Sequence, residues 1–166
     1  MFFKLKSHIK FLLKSTNEHG VHSPFVFDFV TKGLYSKKQW NQHKTIDVLL
    51  KSISHFKVQS IMIPDDPEIK RILQDIHPKL KFESDTIDLL FDPALDQTKL
   101  EQLISEKILH NGSMILIDGI HSNPQKEKCW QDLVQLPKVT VSIDMFHCGA
   151  LFIRKEQVKE HFTIRI

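Results

Sequence analysis

In Met114-Ile115-Leu116-Ile117-Asp118-Gly119-Ile120-His121, four consecutive apolar residues run into an aspartate and a glycine. A half-exposed strand alternates apolar with polar residues, so an unbroken run of this length reads as a strand covered on both faces. Upstream, Ile87-Asp88-Leu89-Leu90-Phe91 stops in the same way at Asp92-Pro93. Ser60-Ile61-Met62-Ile63 is a third such run, and Leu80-Lys81-Phe82 a shorter one. Helical spacing fills the gaps: residues 67–76, then 98–109 with Asn111-Gly112 as its stop, then 124–136. Two further strands, 139–143 and 150–153, precede a polar stretch and the closing segment His161 to Ile166. Strands alternating with helices predict an α/β domain, its sheet mainly parallel with antiparallel strands at the end.

Before this core the pattern is helical. Met1 to Lys14 reads as a basic amphipathic helix. Ser23 and Pro24 are N-cap and first-turn residues of a second helix that Gly33 would stop, and 44–55 forms a third. The expected organisation is therefore one domain, with a basic, aromatic helical segment over 1–56 and the α/β core over 57–166.

Composition narrows the class. Of 166 residues, 41% are hydrophobic and 26% charged, a balance that excludes wholesale disorder. No apolar run approaches the ~20 residues of a membrane-spanning helix. Cys129 and Cys148 are too few and too far apart for a disulfide scaffold or a CxxC site, and suit a reducing cytoplasm. The net charge of +3 is unevenly spread: residues 1–60 carry ten lysines against three carboxylates, whereas 61–166 carry an acidic excess. That makes the N-terminal part a candidate surface for anionic partners. Lys4, Lys6, Lys10 and Lys14 offer a contact to a membrane surface or a nucleic acid, although no nucleic-acid-binding motif accompanies them. The more ordinary expectation is that this helix packs its Phe and Leu face on the domain and leaves its lysines in water.

In an open α/β sheet, ligands sit beyond the carboxyl ends of the strands. Asp65, Glu83, Asp92 and Asp118 fall there. Two strand ends carry a D-x-x-H spacing, Asp118 with His121 and Asp144 with His147. Such pairs can work as acid and base or hold a metal, and equally can cap the next helix and fill a turn. The first strand-to-helix turn, Ile63-Pro64-Asp65-Asp66-Pro67-Glu68, lacks the glycines a nucleotide-type cofactor needs for close backbone approach. Its prolines remove N–H donors, and its carboxylates repel a phosphate. Glu83, about 20 residues past the first strand, has the spacing of a ribose-binding carboxylate. A reactive pairing of Cys148 with His147 is disfavoured, since neighbours on a strand point to opposite faces.

His19-Gly20-Val21-His22-Ser23-Pro24-Phe25-Val26-Phe27 resembles the N-terminal signature of a group of bacterial class I S-adenosylmethionine-dependent methyltransferases. Met114 to Ser122 is similar to their fifth strand and the D-D-I-H-W motif after it, and residues 137–144 and 152–165 to their closing strands. The resemblance implies a reduced Rossmann-like methyltransferase fold, with Asp92 ending strand four and Asp118 and His121 beyond strand five. The chain departs from the pattern at its cofactor site. Pro64 to Pro67 replaces the glycine-rich loop, Gly119 and Ser122 replace the second Asp and the Trp, and residues 76–87 are too few for the usual helix, strand and helix.

Two readings follow. In the first, the protein is a degenerate methyltransferase homologue with no cofactor and no metal, acting by binding a protein partner or a second copy. In the second, it is an active methyltransferase on a small acceptor, with Glu83 and Asp92 holding S-adenosylmethionine and Asp118 and His121 serving the acceptor.

Overall fold

The computed structural model describes residues 2–166. Six strands form one mixed sheet in the order β1-β2-β3-β5-β4-β6. β1 (Ile61–Met62), β2 (Ile87–Phe91) and β3 (Leu109–Asp118) run parallel. β5 (Cys148–Phe152) is antiparallel to both β3 and β4 (Val141–Asp144), and β6 (Glu160–Thr163) lies parallel to β4 at the far edge. This is an α/β, Rossmann-like architecture; of the antiparallel strands expected at the end, only β5 is one, and β4 and β6 run in the direction of β1 to β3.

Strand alternation divides the core between two faces. Leu89, Phe91, Met114, Leu116, Val141, Ile143, Ala150 and Phe152 point to one face. There they meet α2 (Pro24–Asp28), the π-helical turn that continues it (Phe29–Leu34), α3 (Lys44–Phe56) and α4 (Pro67–Ile76). Ile87, Leu90, Ile115, Ile117 and Leu151 point to the other, against α5 (Gln97–Ser105) and α6 (Pro124–Gln135). The uninterrupted apolar run in β3 is thus explained by a helical layer on each side.

Local chemistry fixes the helix starts. The side chains of Ser23, Asp66, Asp96 and Asn123 each accept from a first-turn N–H, and proline follows three of them, at Pro24, Pro67 and Pro124. Each aspartate also adds a negative charge at the positive end of the helix dipole.

Several boundaries differ from the sequence expectation. Residues 80–82 form no strand; Lys81 makes one isolated parallel bridge to Ser60. α5 ends at Ser105, and Lys107, in the left-handed region at φ 59°, turns the chain. Asn111-Gly112 is therefore no helix stop but part of β3, where the register against β2 slips between Ile87 and Leu89.

The largest departure is α1 (Phe2–Lys14). Met1, included in the expected helix, lies outside the described residues. Of the helix side chains only Ser7 and Phe11 are buried, and Phe2, Leu5, Ile9, Leu12 and Leu13 face solvent. The expectation that its Phe and Leu face packs on the domain is overturned. The packed face is a narrow one, centred on a serine that finds a polar partner on α6. No helix among the described residues is long and apolar enough to cross a membrane.

Candidate functional site

β3 ends in Asp118, and the tight β4–β5 hairpin brings Asp144, Met145, Phe146 and His147 beside it. Gly119, at φ 67°, turns the chain out of β3 while its N–H donates to the His147 carbonyl at 2.7 Å. This turn sends Ile120 into the core and His121 out over the hairpin.

His121 is held on three sides. Its Nε2 lies 2.7 Å from Asp144 Oδ2 and its Nδ1 lies 3.1 Å from Glu127 Oε2. Carboxylates only accept, so both ring nitrogens donate and the ring is an imidazolium. Burial disfavours that charge, but the hydrogen bonds and charges of Asp144 and Glu127 outweigh it, and the His121 pKa stands above the ordinary imidazole value. The Glu127 carboxyl shifts the opposite way: burial works to raise it, and the hydrogen bonds from His121 and Ser7 bring it below its ordinary value. The Phe146 ring stacks on His121, with centroids 5.3 Å apart and planes 15° from parallel.

The hairpin is strained to make that stack. Phe146 sits at φ 66°, a left-handed conformation that glycine or asparagine adopts far more readily. Asp144 Oδ1 accepts from the Phe146 N–H at 2.8 Å and pins the turn. α1 then closes over the cluster: Ser7 Oγ donates to Glu127 Oε2 at 2.8 Å, and the His8 and Phe11 rings pack on Phe146 at 4.5 and 5.4 Å between centroids.

Beside this network lies an open cleft of about 390 Å³ lined by Lys4, Lys44, Thr45, Asp118, His121 and His147, among others. Asp118 forms part of the lining and accepts from Thr45 Oγ1 at 2.5 Å. Burial lowers the His147 pKa, and the neighbouring Lys44 and Lys4 lower it further, so a neutral imidazole and two lysines share the cleft.

The two D-x-x-H pairs are re-sorted by this geometry. Asp118 and His121 line the same cleft, but Asp118 bonds to Thr45 and His121 to Asp144 and Glu127. Asp144 serves His121 rather than His147. With both nitrogens donating to carboxylates, His121 has no lone pair free for a proton or a metal. Among the described residues, no group of three or more His, Cys, Asp or Glu is placed to hold a metal ion.

Glu83 and Asp92 lie apart from the cleft. Glu83 is exposed in the connection between α4 and β2. Asp92 is buried and engaged, accepting from the Ala94 N–H at 2.8 Å and pairing with Lys99 Nζ at 2.5 Å. Asp66, rather than Asp65, caps α4, accepting from the Glu68 and Ile69 N–H groups at 3.0 and 3.1 Å. Cys148 is fully buried in the core, where burial raises its thiol pKa far above the ordinary value, so it is an inert apolar residue.

Sequence reasoning missed Glu127, Ser7 and Thr45. Glu127 had a weak local signal, a carboxylate in the first turn of the helix that follows His121. Ser7 and Thr45 had none, because 120 residues separate Ser7 from its partner and 73 separate Thr45 from its own. No family model matches this chain, and no curated protein matches it either.

Proposed function

We propose that this chain is a degenerate relative of the class I S-adenosylmethionine-dependent methyltransferases that does not hold the methyl donor and acts by binding. The observation carrying this reading is the turn after β1. In place of a glycine loop that would leave bare N–H groups, Asp66 already occupies the first-turn N–H groups of α4 between two prolines. A ligand carboxylate or ribose approaching there would meet Asp65, Asp66 and Glu68 instead of donors.

The other positions support the same reading. Asp92 is consumed by Lys99 and by its own turn, and Lys81 retains a single bridge where a further strand would extend the sheet. At the strand-five position, His121 is a closed imidazolium rather than a base. Methyl transfer requires donor and acceptor aligned at close range, and these groups are committed to holding the fold.

Isothermal titration of the full chain with S-adenosylmethionine tests the reading. No saturable heat is expected up to millimolar donor. Saturable binding at micromolar donor, weakened on Glu83→Ala, would establish the active methyltransferase in its place.

A further inference from the structure

The exposed side of α1 is a second surface with its own chemistry. Phe2 is 85% exposed, Leu13 82%, Leu5 58%, Ile9 51% and Leu12 42%. At 3.6 residues per turn these five fall within an arc of roughly 100°, directly opposite Ser7 and Phe11. The helix is therefore fixed to the body by one edge and turns an unbroken apolar stripe outward.

One flank of that stripe is cationic: Lys6 and Lys10 follow it on one shoulder, while His8 stands on the other and Lys4 and Lys14 lie nearer the packed edge, beside Phe11 and Ser7. Lys4 lines the cleft on one side of the helix, and Lys10 and Lys14 line a second cleft on the opposite side. No acidic residue lies anywhere in α1. An apolar stripe bordered by lysines on one shoulder, with no carboxylate anywhere in the helix, suits a helix lying in the plane of an anionic bilayer. Its Phe and Leu side chains enter the acyl boundary while lysine stems reach back to the headgroups. A pairing of two α1 helices fits less well, because their stripes would bring lysine shoulders together without an opposite charge.

We propose that α1 is a peripheral membrane-binding helix that docks this protein on anionic lipid, with Phe2, Leu5, Ile9, Leu12 and Leu13 as the inserting residues and Lys6 and Lys10 as the headgroup contacts. Ser7 and Phe11 hold the helix parallel to the body, so the stripe is presented outward without any rearrangement. The inference stands whether or not a methyl donor binds elsewhere.

Vesicle co-sedimentation of the full chain tests it, comparing phosphatidylcholine alone with phosphatidylcholine containing about one-third phosphatidylserine. Retention is expected to be at least about tenfold greater on the anionic vesicles and to fall steeply as salt screens the lysines. Leu5→Ser with Ile9→Ser should abolish retention while leaving the thermal unfolding midpoint unchanged, since both side chains are exposed. Lys6→Gln with Lys10→Gln should remove the preference for anionic lipid. Equal retention on neutral and anionic vesicles, or none on either, would overturn the proposal. So would a concentration-dependent dimer that the Leu5 and Ile9 substitutions dissolve without any lipid binding.

Discussion

His121 and Asp144 are joined by a 2.7 Å hydrogen bond that links the turn after β3 to the end of β4, two strands separated in the sheet by β5. Glu127 extends the link to α6, and Ser7 extends it to α1. One imidazolium thereby ties the N-terminal helix, the last β–α crossover and the hairpin into a single polar cluster.

The cluster gives stability a defined dependence on pH. His121 has a folded pKa above its unfolded value of about 6.5. Its contribution is therefore complete below that value and is lost as pH rises through the folded pKa. His77 behaves oppositely: burial lowers its pKa, and its Nε2 is buried without a partner among the described residues. Its contribution is present above about pH 6.5 and is lost as pH falls through the lowered folded value. Thermal melts across pH are expected to show an alkaline decline that His121→Gln removes and an acid decline that His77→Phe reduces, the remainder belonging to His55, His147 and His161, whose pKa values burial also lowers. An unchanged profile in either variant would dissociate that histidine from its limb.

Ser7→Ala deletes the hydrogen bond that fastens α1 to α6. The expected loss is about 1 kcal/mol, the worth of a side-chain hydrogen bond to a charged acceptor after partial solvent compensation. The loss should concentrate in α1, so limited proteolysis near Lys14 should accelerate while amide exchange in β3 stays slow. Uniform acceleration across the sheet would contradict this local role.

Gly149 lies in the central antiparallel strand, and a Cβ placed there would sit 2.5 Å from the Trp130 ring. Trp130 is buried on α6, whose first turn carries Glu127. Gly149→Ala should therefore cost roughly 1–3 kcal/mol by overpacking. It should also shift Trp fluorescence and loosen the His121 cluster through α6. Wild-type stability and emission would show that the ring has room to move.

Lys57 closes α3 in the left-handed region at φ 53°, exposed, with its N–H on the Ile53 carbonyl. Glycine adopts that conformation without the Cβ penalty. Lys57→Gly should stabilise by about 0.5–1 kcal/mol after the unfolded-state entropy of glycine is counted. For a domain of this size that is a rise of roughly 1–4 °C in midpoint, measurable by calorimetry. A fall would mean the lysine side chain contributes more than its backbone costs.

Periodicity and end signals are properties of neighbouring residues, and they were legible. The double-sided burial of β3, the capped start of α2, the proline starts of α4 and α6, and the antiparallel turn near the C-terminus all follow from residues a few positions apart. The replacement of glycines by Pro64 and Pro67 after β1 was equally plain, since backbone freedom is a local attribute. Asn111-Gly112 misled, because a turn dipeptide cannot reveal whether it ends a helix or bulges in a strand; Lys107 had already ended the helix.

What tertiary structure alone decided was partnership. Asp118 and His121 are three residues apart, yet each bonds to a group brought from elsewhere, because the left-handed turn at Gly119 points their side chains in different directions. The same holds for α1. Amphipathic spacing in the sequence defines an apolar side but not where it faces, and here the hydrogen bond from Ser7 to Glu127 and the packing of Phe11 on Phe146 set the rotation. Local sequence determines which faces an element has; only the neighbours that fold against it determine which one is left for water or lipid.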